Sequence, residues 1–129
     1  MRPWLPDPAR RQRGARADRT GRAAEGIARD ALIAEGWRIM AERQRTPAGE
    51  LDLIAEKDGL LAFIEVKARP SLREAAHALG PRQQQRLFAA AEAWLAWNPG
   101  HGAKGIRFDV LLVAADGTVK RIADALRQA

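Results

Sequence analysis

Gly49-Glu50-Leu51-Asp52-Leu53-Ile54-Ala55-Glu56-Lys57-Asp58-Gly59-Leu60-Leu61-Ala62-Phe63-Ile64-Glu65-Val66-Lys67-Ala68-Arg69 is the stretch that decides the fold. Two apolar-rich runs, Leu51 to Lys57 and Leu60 to Lys67, flank Asp58-Gly59. An Asp-Gly pair between such runs signals a β-hairpin, because a two-residue loop of the favoured hand needs positive φ at both residues. That loop fixes the register. Lys57 then faces Leu60, Ile54 faces Phe63, Asp52 faces Glu65 and Glu50 faces Lys67. Side chains alternate along a strand, so Glu50, Asp52, Glu65 and Lys67 emerge on one face. The other face receives Leu51, Leu53, Ala55, Ala62, Ile64 and Val66 as continuous core.

Opposed carboxylates destabilise a hairpin, and Asp52 against Glu65 is such a pair. Three acids and one ammonium in one patch suit a divalent cation, since Mg²⁺ takes hard oxygen ligands from one or two carboxylates plus water. Lys67 beside them would orient a water or neutralise charge developing on a phosphate. The competing reading is a solvated polar face in which Glu50 and Lys67 form a modest cross-strand ion pair.

Working outward, Pro70 cannot donate to a ladder and stops the second strand. Ser71 to Ala78 reads as a short helix with Ser71 as N-cap. Gly80-Pro81 opens a longer helix to about Trp97, with Pro81 in its first turn and Leu87, Ala91, Trp94 and Leu95 as its buried stripe. Upstream, Thr20 to Glu35 is helical in pattern, with Ala24, Ile27, Ala28, Ala31 and Leu32 on one face and Gly36 as its stop. Trp37 to Ala41 follows as a short strand with Trp37, Ile39 and Ala41 on one side. Downstream, Ile106 to Ala114 is apolar enough for an interior strand. Ala115-Asp116-Gly117 turns the chain, and Thr118 to Ile122 is the last strand. The order helix, three strands, helix, two strands predicts an α/β fold, a mixed β-sheet flanked by helices.

At 129 residues the chain is one domain's worth. It has no Cys, which excludes a disulfide framework, thiolate metal sites and a Cys nucleophile, and suits a reducing compartment. His77 and His101 are the only histidines and lie far apart, so a histidine metal site is not expected. No apolar run reaches membrane-spanning length, and the N-terminus shows no signal-peptide core. The expectation is a cytoplasmic protein with no membrane partner. The net charge of +6 is uneven: residues 1 to 24 hold seven Arg against Asp7 and Asp18. Residues 1–19, with Pro3, Pro6, Pro8 and Arg10-Arg11-Gln12-Arg13, read as a disordered basic arm, and residues 20–129 as a single domain. Arg10, Arg11, Arg13 and Arg16 suit a polyanion. A solvated terminus with no role is the alternative, and the excess of Arg over Lys also follows from a GC-rich coding sequence.

Asp52 and, after twelve intervening residues, Glu65-Val66-Lys67 resemble the PD-(D/E)XK nuclease signature. The blocks Gly49-Glu50-Leu51-Asp52-Leu53-Ile54, Phe63-Ile64-Glu65-Val66-Lys67-Ala68-Arg69 and Arg107-Phe108-Asp109-Val110 resemble the YraN-like family of small bacterial proteins with a restriction-endonuclease-like fold. The resemblance covers about residues 21 to 126. It implies that Asp52 and Glu65 are metal-ligating carboxylates, that the Val66 carbonyl is a further ligand, and that Lys67 is the catalytic lysine. Glu25 matches an acidic helix position that completes the metal site in related nucleases; an exposed helix acid is the equal alternative. Glu50 is a supporting residue that binds metal through water or pairs with Lys67. Gln83 stands where the family commonly carries Lys, and it keeps hydrogen bonding while losing the charge.

The implied activity is Mg²⁺- or Mn²⁺-dependent hydrolysis of DNA phosphodiester bonds, with Arg69 and the arm arginines on phosphates. No base-reading element stands out, so structure-selective or non-specific cutting is expected. Nucleases of this fold often dimerise, which leaves a homodimer open. Two other readings stand: a non-catalytic nucleic-acid-binding protein on a nuclease scaffold, and an assembly protein whose hairpin acids bind a cationic partner. Trp37, Trp94 and Trp97 read as core and rim, with base stacking as the alternative. Arg107 and Asp109 share a strand face and read as an ion pair.

Overall fold

The computed structural model describes residues 22–72 and 79–125. The expected Ser71–Ala78 helix falls largely outside them, as do the basic arm and its Arg10, Arg11, Arg13 and Arg16. A helix, α1, covers residues 22–34. Three strands follow: β1 (Arg38–Thr46), β2 (Gly49–Lys57) and β3 (Leu60–Arg69). Then come α2 (Pro81–Trp97), β4 (Ile106–Ala114) and β5 (Val119–Ile122). The sheet order is β1-β2-β3-β4-β5, antiparallel except for the parallel β3–β4 pair. The mixed α/β architecture and its element order are those expected. No helix among the described residues is long and apolar enough to cross a membrane.

The β2–β3 loop is the expected one. Asp58 (φ 51°) and Gly59 (φ 83°) both have positive φ, as a right-twisted two-residue hairpin requires. The register runs as expected from Lys57↔Leu60 to Leu53↔Ile64. The sheet is covered on both faces. Ala24, Ala28 and Leu32 of α1 pack with Trp37, Leu53, Ala55, Ala62, Ile64, Leu111 and Val113. Leu87, Ala90, Ala91 and Trp94 of α2 pack on the opposite face with Leu51, Ile54, Leu61 and Phe63. There Phe63 stacks on Phe108 and meets Trp94 edge to face, geometries that aromatic pairs prefer.

Four expectations are corrected. Leu51 does not share a face with Leu53; it joins the α2-side core, so the strict alternation fails at Asp52. Ala41 also lies on the α2 side, because a bulge between Ile39 and Ala41 inverts the strand after Ile39. The first strand does not end at Ala41 but runs to Thr46. Ile27 of α1 is exposed rather than in the apolar stripe, which Ala24, Ala28 and Leu32 fill at i, i+4, i+8 spacing. Arg107 and Asp109 do pair: the guanidinium donates to both carboxylate oxygens of buried Asp109 at 2.8 and 2.7 Å. Arg107 and Arg121 both lie over the Trp37 ring.

Candidate active site

The β2–β3 ladder stops at Leu53↔Ile64, and past it the two strands part. In place of the next backbone pairing, the Val66 N–H donates to Asp52 Oδ2 at 2.9 Å. Asp52 therefore closes the ladder with its side chain. Its carboxylate is the point where acids from three elements converge. Glu25 of α1, Glu50 and Asp52 of β2 each bring an oxygen within 4.8 Å of the others. Glu65 of β3 lies outside that group of three, but close enough to Asp52 from the other strand for the two carboxyl groups to feel each other.

Glu65 is well enclosed, with 11 % of its side chain exposed against 34 % for Glu50. Its Oε1 lies 3.4 Å from Lys67 Nζ and accepts from Gln83 Nε2 at 3.1 Å. Despite the lysine, the Glu65 carboxyl is pushed up to about 8. Burial is the largest cause and the neighbouring Asp52 carboxylate the next, while Lys67 pulls the other way. Near neutral pH the protein alone thus holds a proton on Glu65 that a solvated glutamate would have lost.

The structure brings Glu25, Glu50, Asp52, Glu65, Lys67 and Gln83 to this open end of the hairpin. It does not pair Glu50 with Lys67. Glu50 instead meets Arg43 Nε at 3.6 Å and Arg45 Nε at 3.9 Å on β1, and Lys67 turns to Glu65 on its own strand. The splaying of the strands separates Glu50 from Lys67, and the extension of β1 to Thr46 brings the arginines across. Val66 enters through its N–H. Arg69, at the end of β3, is half-buried and donates to the Ala68 carbonyl at 2.8 Å.

Arg43 and Arg45 were not legible in the sequence. Arg43 has a left-handed backbone (φ 48°), which no local motif announces. The family pattern points to Gln83, and its contact explains a glutamine there: its amide donates to Glu65 without adding charge.

The donor set is oxygen-only, and the cations beside it are Lys67 on one side and Arg43 and Arg45 around Glu50. A buried carboxyl with an elevated pKa beside a second carboxylate is what a hard divalent cation relieves. The residues present therefore fit Mg²⁺ or Mn²⁺.

A five-stranded mixed sheet between two helices, with acids gathered where a hairpin opens, defines the class: a mixed α/β domain. The model of the uncharacterised protein family UPF0102 matches residues 24–113, and the chain belongs to that family, the YraN-like group that the sequence blocks resemble. It is similar to the UPF0102 protein of Granulibacter bethesdensis, 58% identical over 115 residues, covering 89% of this chain and 73% of the relative. A Bradyrhizobium UPF0102 protein is 59% identical over 98 residues, 76% of this chain and 70% of the relative. One from Rhodopseudomonas palustris is 48% identical over 109 residues, 84% of each chain.

Proposed function

We propose that the chain is a divalent-metal-dependent nuclease that hydrolyses DNA phosphodiester bonds, structure-selectively or without sequence preference. The observation that carries this reading is the enclosed Glu65 carboxyl pressed against Asp52, with Lys67 Nζ 3.4 Å away. Asp52 and Glu65 would hold Mg²⁺ or Mn²⁺, with Glu25 and the Val66 carbonyl as further donors and Glu50 acting through water. Such an ion, when bound, lowers the pKa of an attacking water and polarises a phosphoryl oxygen.

The chain's own residues divide the remaining work. The Val66 N–H fixes the Asp52 carboxylate, so its orientation is set before any ligand arrives. Gln83 does the same for Glu65. Lys67, 18 % exposed and 3.4 Å from Glu65, would stabilise charge developing on a phosphate at that cluster. The seven arginines among residues 1 to 24 would add sequence-independent phosphate contacts.

The test is Mn²⁺-dependent cutting on a panel of branched, flapped, single-stranded and duplex DNAs. Wild type is expected to cut at least one member, and Asp52→Ala and Glu65→Ala none. Lys67→Ala should keep metal and DNA binding but lose on the order of 10²-fold or more in turnover. Lys67→Ala cutting as fast as wild type removes the mechanism. A wild type that binds DNA but neither metal nor cuts makes this a nucleic-acid-binding protein on a nuclease scaffold.

A further inference from the structure

We infer that the groove between the β1–β2 turn and the exposed face of α2 binds a single-stranded segment of DNA leading into the open end of the hairpin. The groove, of about 860 Å³, is lined by Arg45, Thr46, Gly49, Glu50, Arg86 and Trp97 among others. Trp97 ends α2 with 59 % of its surface exposed, an unusual amount of aromatic area to leave in water. Arg86 is exposed, and no ion pair joins it to a carboxylate among the described residues. Arg45 is held to Glu50 only loosely, at 3.9 Å, and is itself 61 % exposed.

Gly49 shapes this groove. A Cβ there would stand 2.9 Å from Arg86 Cδ and 3.0 Å from its Cγ. The missing side chain lets the Arg86 stem cross the β1–β2 turn. Arg86 and Trp97 are eleven residues apart on α2, which puts them on one helix face roughly 16 Å apart at 1.5 Å per residue. Gln83, one turn before Arg86, touches Glu65. The stripe Gln83, Arg86, Trp97 therefore runs from the carboxylate cluster to an exposed indole. Glu50, the one acid lining the groove, belongs to that cluster and sits at its inner end.

An exposed indole with two arginines is the chemistry of single-strand recognition. Bases stack on the ring, and guanidinium groups meet the phosphates between them. A duplex keeps its base faces stacked internally and offers the indole nothing. The inference rests on the nuclease reading for the groove's place beside a cut, and on the groove's own residues for strand binding.

The test uses full-length protein in EDTA, with labelled oligo(dT) and a blunt duplex of equal length read by fluorescence anisotropy. Circular-dichroism melts verify that each variant is folded. Trp97→Ala is expected to weaken oligo(dT) binding about ten-fold while leaving the duplex unchanged, and Trp97→Phe to retain most of it. Arg86→Gln should lower the log–log salt slope on oligo(dT) by about 0.7. Oligo(dT) binding indifferent to both Trp97→Ala and Arg86→Gln overturns the inference, as does an equal loss on the duplex. Cutting with Mn²⁺ is measured in parallel. A wild type that cuts nothing but binds oligo(dT) through Trp97 sustains the groove and removes the nuclease reading. A wild type that cuts while its strand binding ignores Trp97 and Arg86 removes the groove alone.

Discussion

The two ends of the β2–β3 hairpin have the same backbone ancestry and opposite characters. At the turn end, from Leu53↔Ile64 to Lys57↔Leu60, the ladder is regular, and Leu53, Ile54, Ala55, Leu61, Ala62, Phe63 and Ile64 are buried between α1 and α2. At the open end the ladder gives way, and a side chain, Asp52, accepts the hydrogen bond that a backbone carbonyl would have taken. Apolar burial and satisfied backbone groups stabilise the first region. The second gathers like charges and a carboxyl that keeps its proton to about 8, which costs the protein alone stability as pH rises above about 4.5. The turn end holds the open end in place, and the open end carries arrangement that only a ligand would reward.

That contrast predicts unequal responses to mutation. Phe63→Ala, at the turn end, should cost about 3–5 kcal/mol, because it removes a buried ring wedged between Trp94 and Phe108. Urea unfolding measures it. Asp52→Ala, at the open end, should change stability by no more than about 1 kcal/mol. It leaves the Val66 N–H without its acceptor but removes the repulsion on Glu65. A cost for Asp52→Ala approaching that of Phe63→Ala would erase the distinction between the two ends.

The next effect is in pH. Folding raises the Glu65 pKa from 4.5 to about 8, so between those values the folded protein holds a proton that the unfolded chain has released. Stability from this group is present in full below about 4.5 and falls as pH rises to about 8, by an amount on the order of a few kcal/mol. Glu65→Gln should flatten that slope in denaturant melts run from pH 5 to 8.5. A small, local effect belongs to the turn. Gly59→Ala, at φ 83° and with Lys104 Cγ 3.0 Å from the new Cβ, should cost about 1 kcal/mol and leave the Glu65 slope unchanged.

The turn end was legible in the sequence because its signals are local. Asp58-Gly59 specifies the loop, and the register follows to Leu53↔Ile64 by counting. The stripe Ala24, Ala28, Leu32 and the Pro81 helix start are equally local. The open end was legible only in its residue types. A bulge after Ile39, a left-handed Arg43 and the inversion between Leu51 and Leu53 leave no periodic trace. They decide that Glu50 meets Arg43 and Arg45 rather than Lys67. Counting along strands fails there because the strands stop behaving as strands.

The most direct measurement of the central claim, that the open end is built for a divalent cation, is a calorimetric Mn²⁺ titration of the protein at pH 6 and pH 8.5. One ion should bind wild type, more tightly at pH 8.5, with proton release at pH 6 as Glu65 gives up its proton, and it should raise the melting temperature. Asp52→Ala and Glu65→Gln should lose most of that affinity while remaining folded. Wild type without binding heat at either pH, or both variants binding Mn²⁺ as wild type does, would contradict the account.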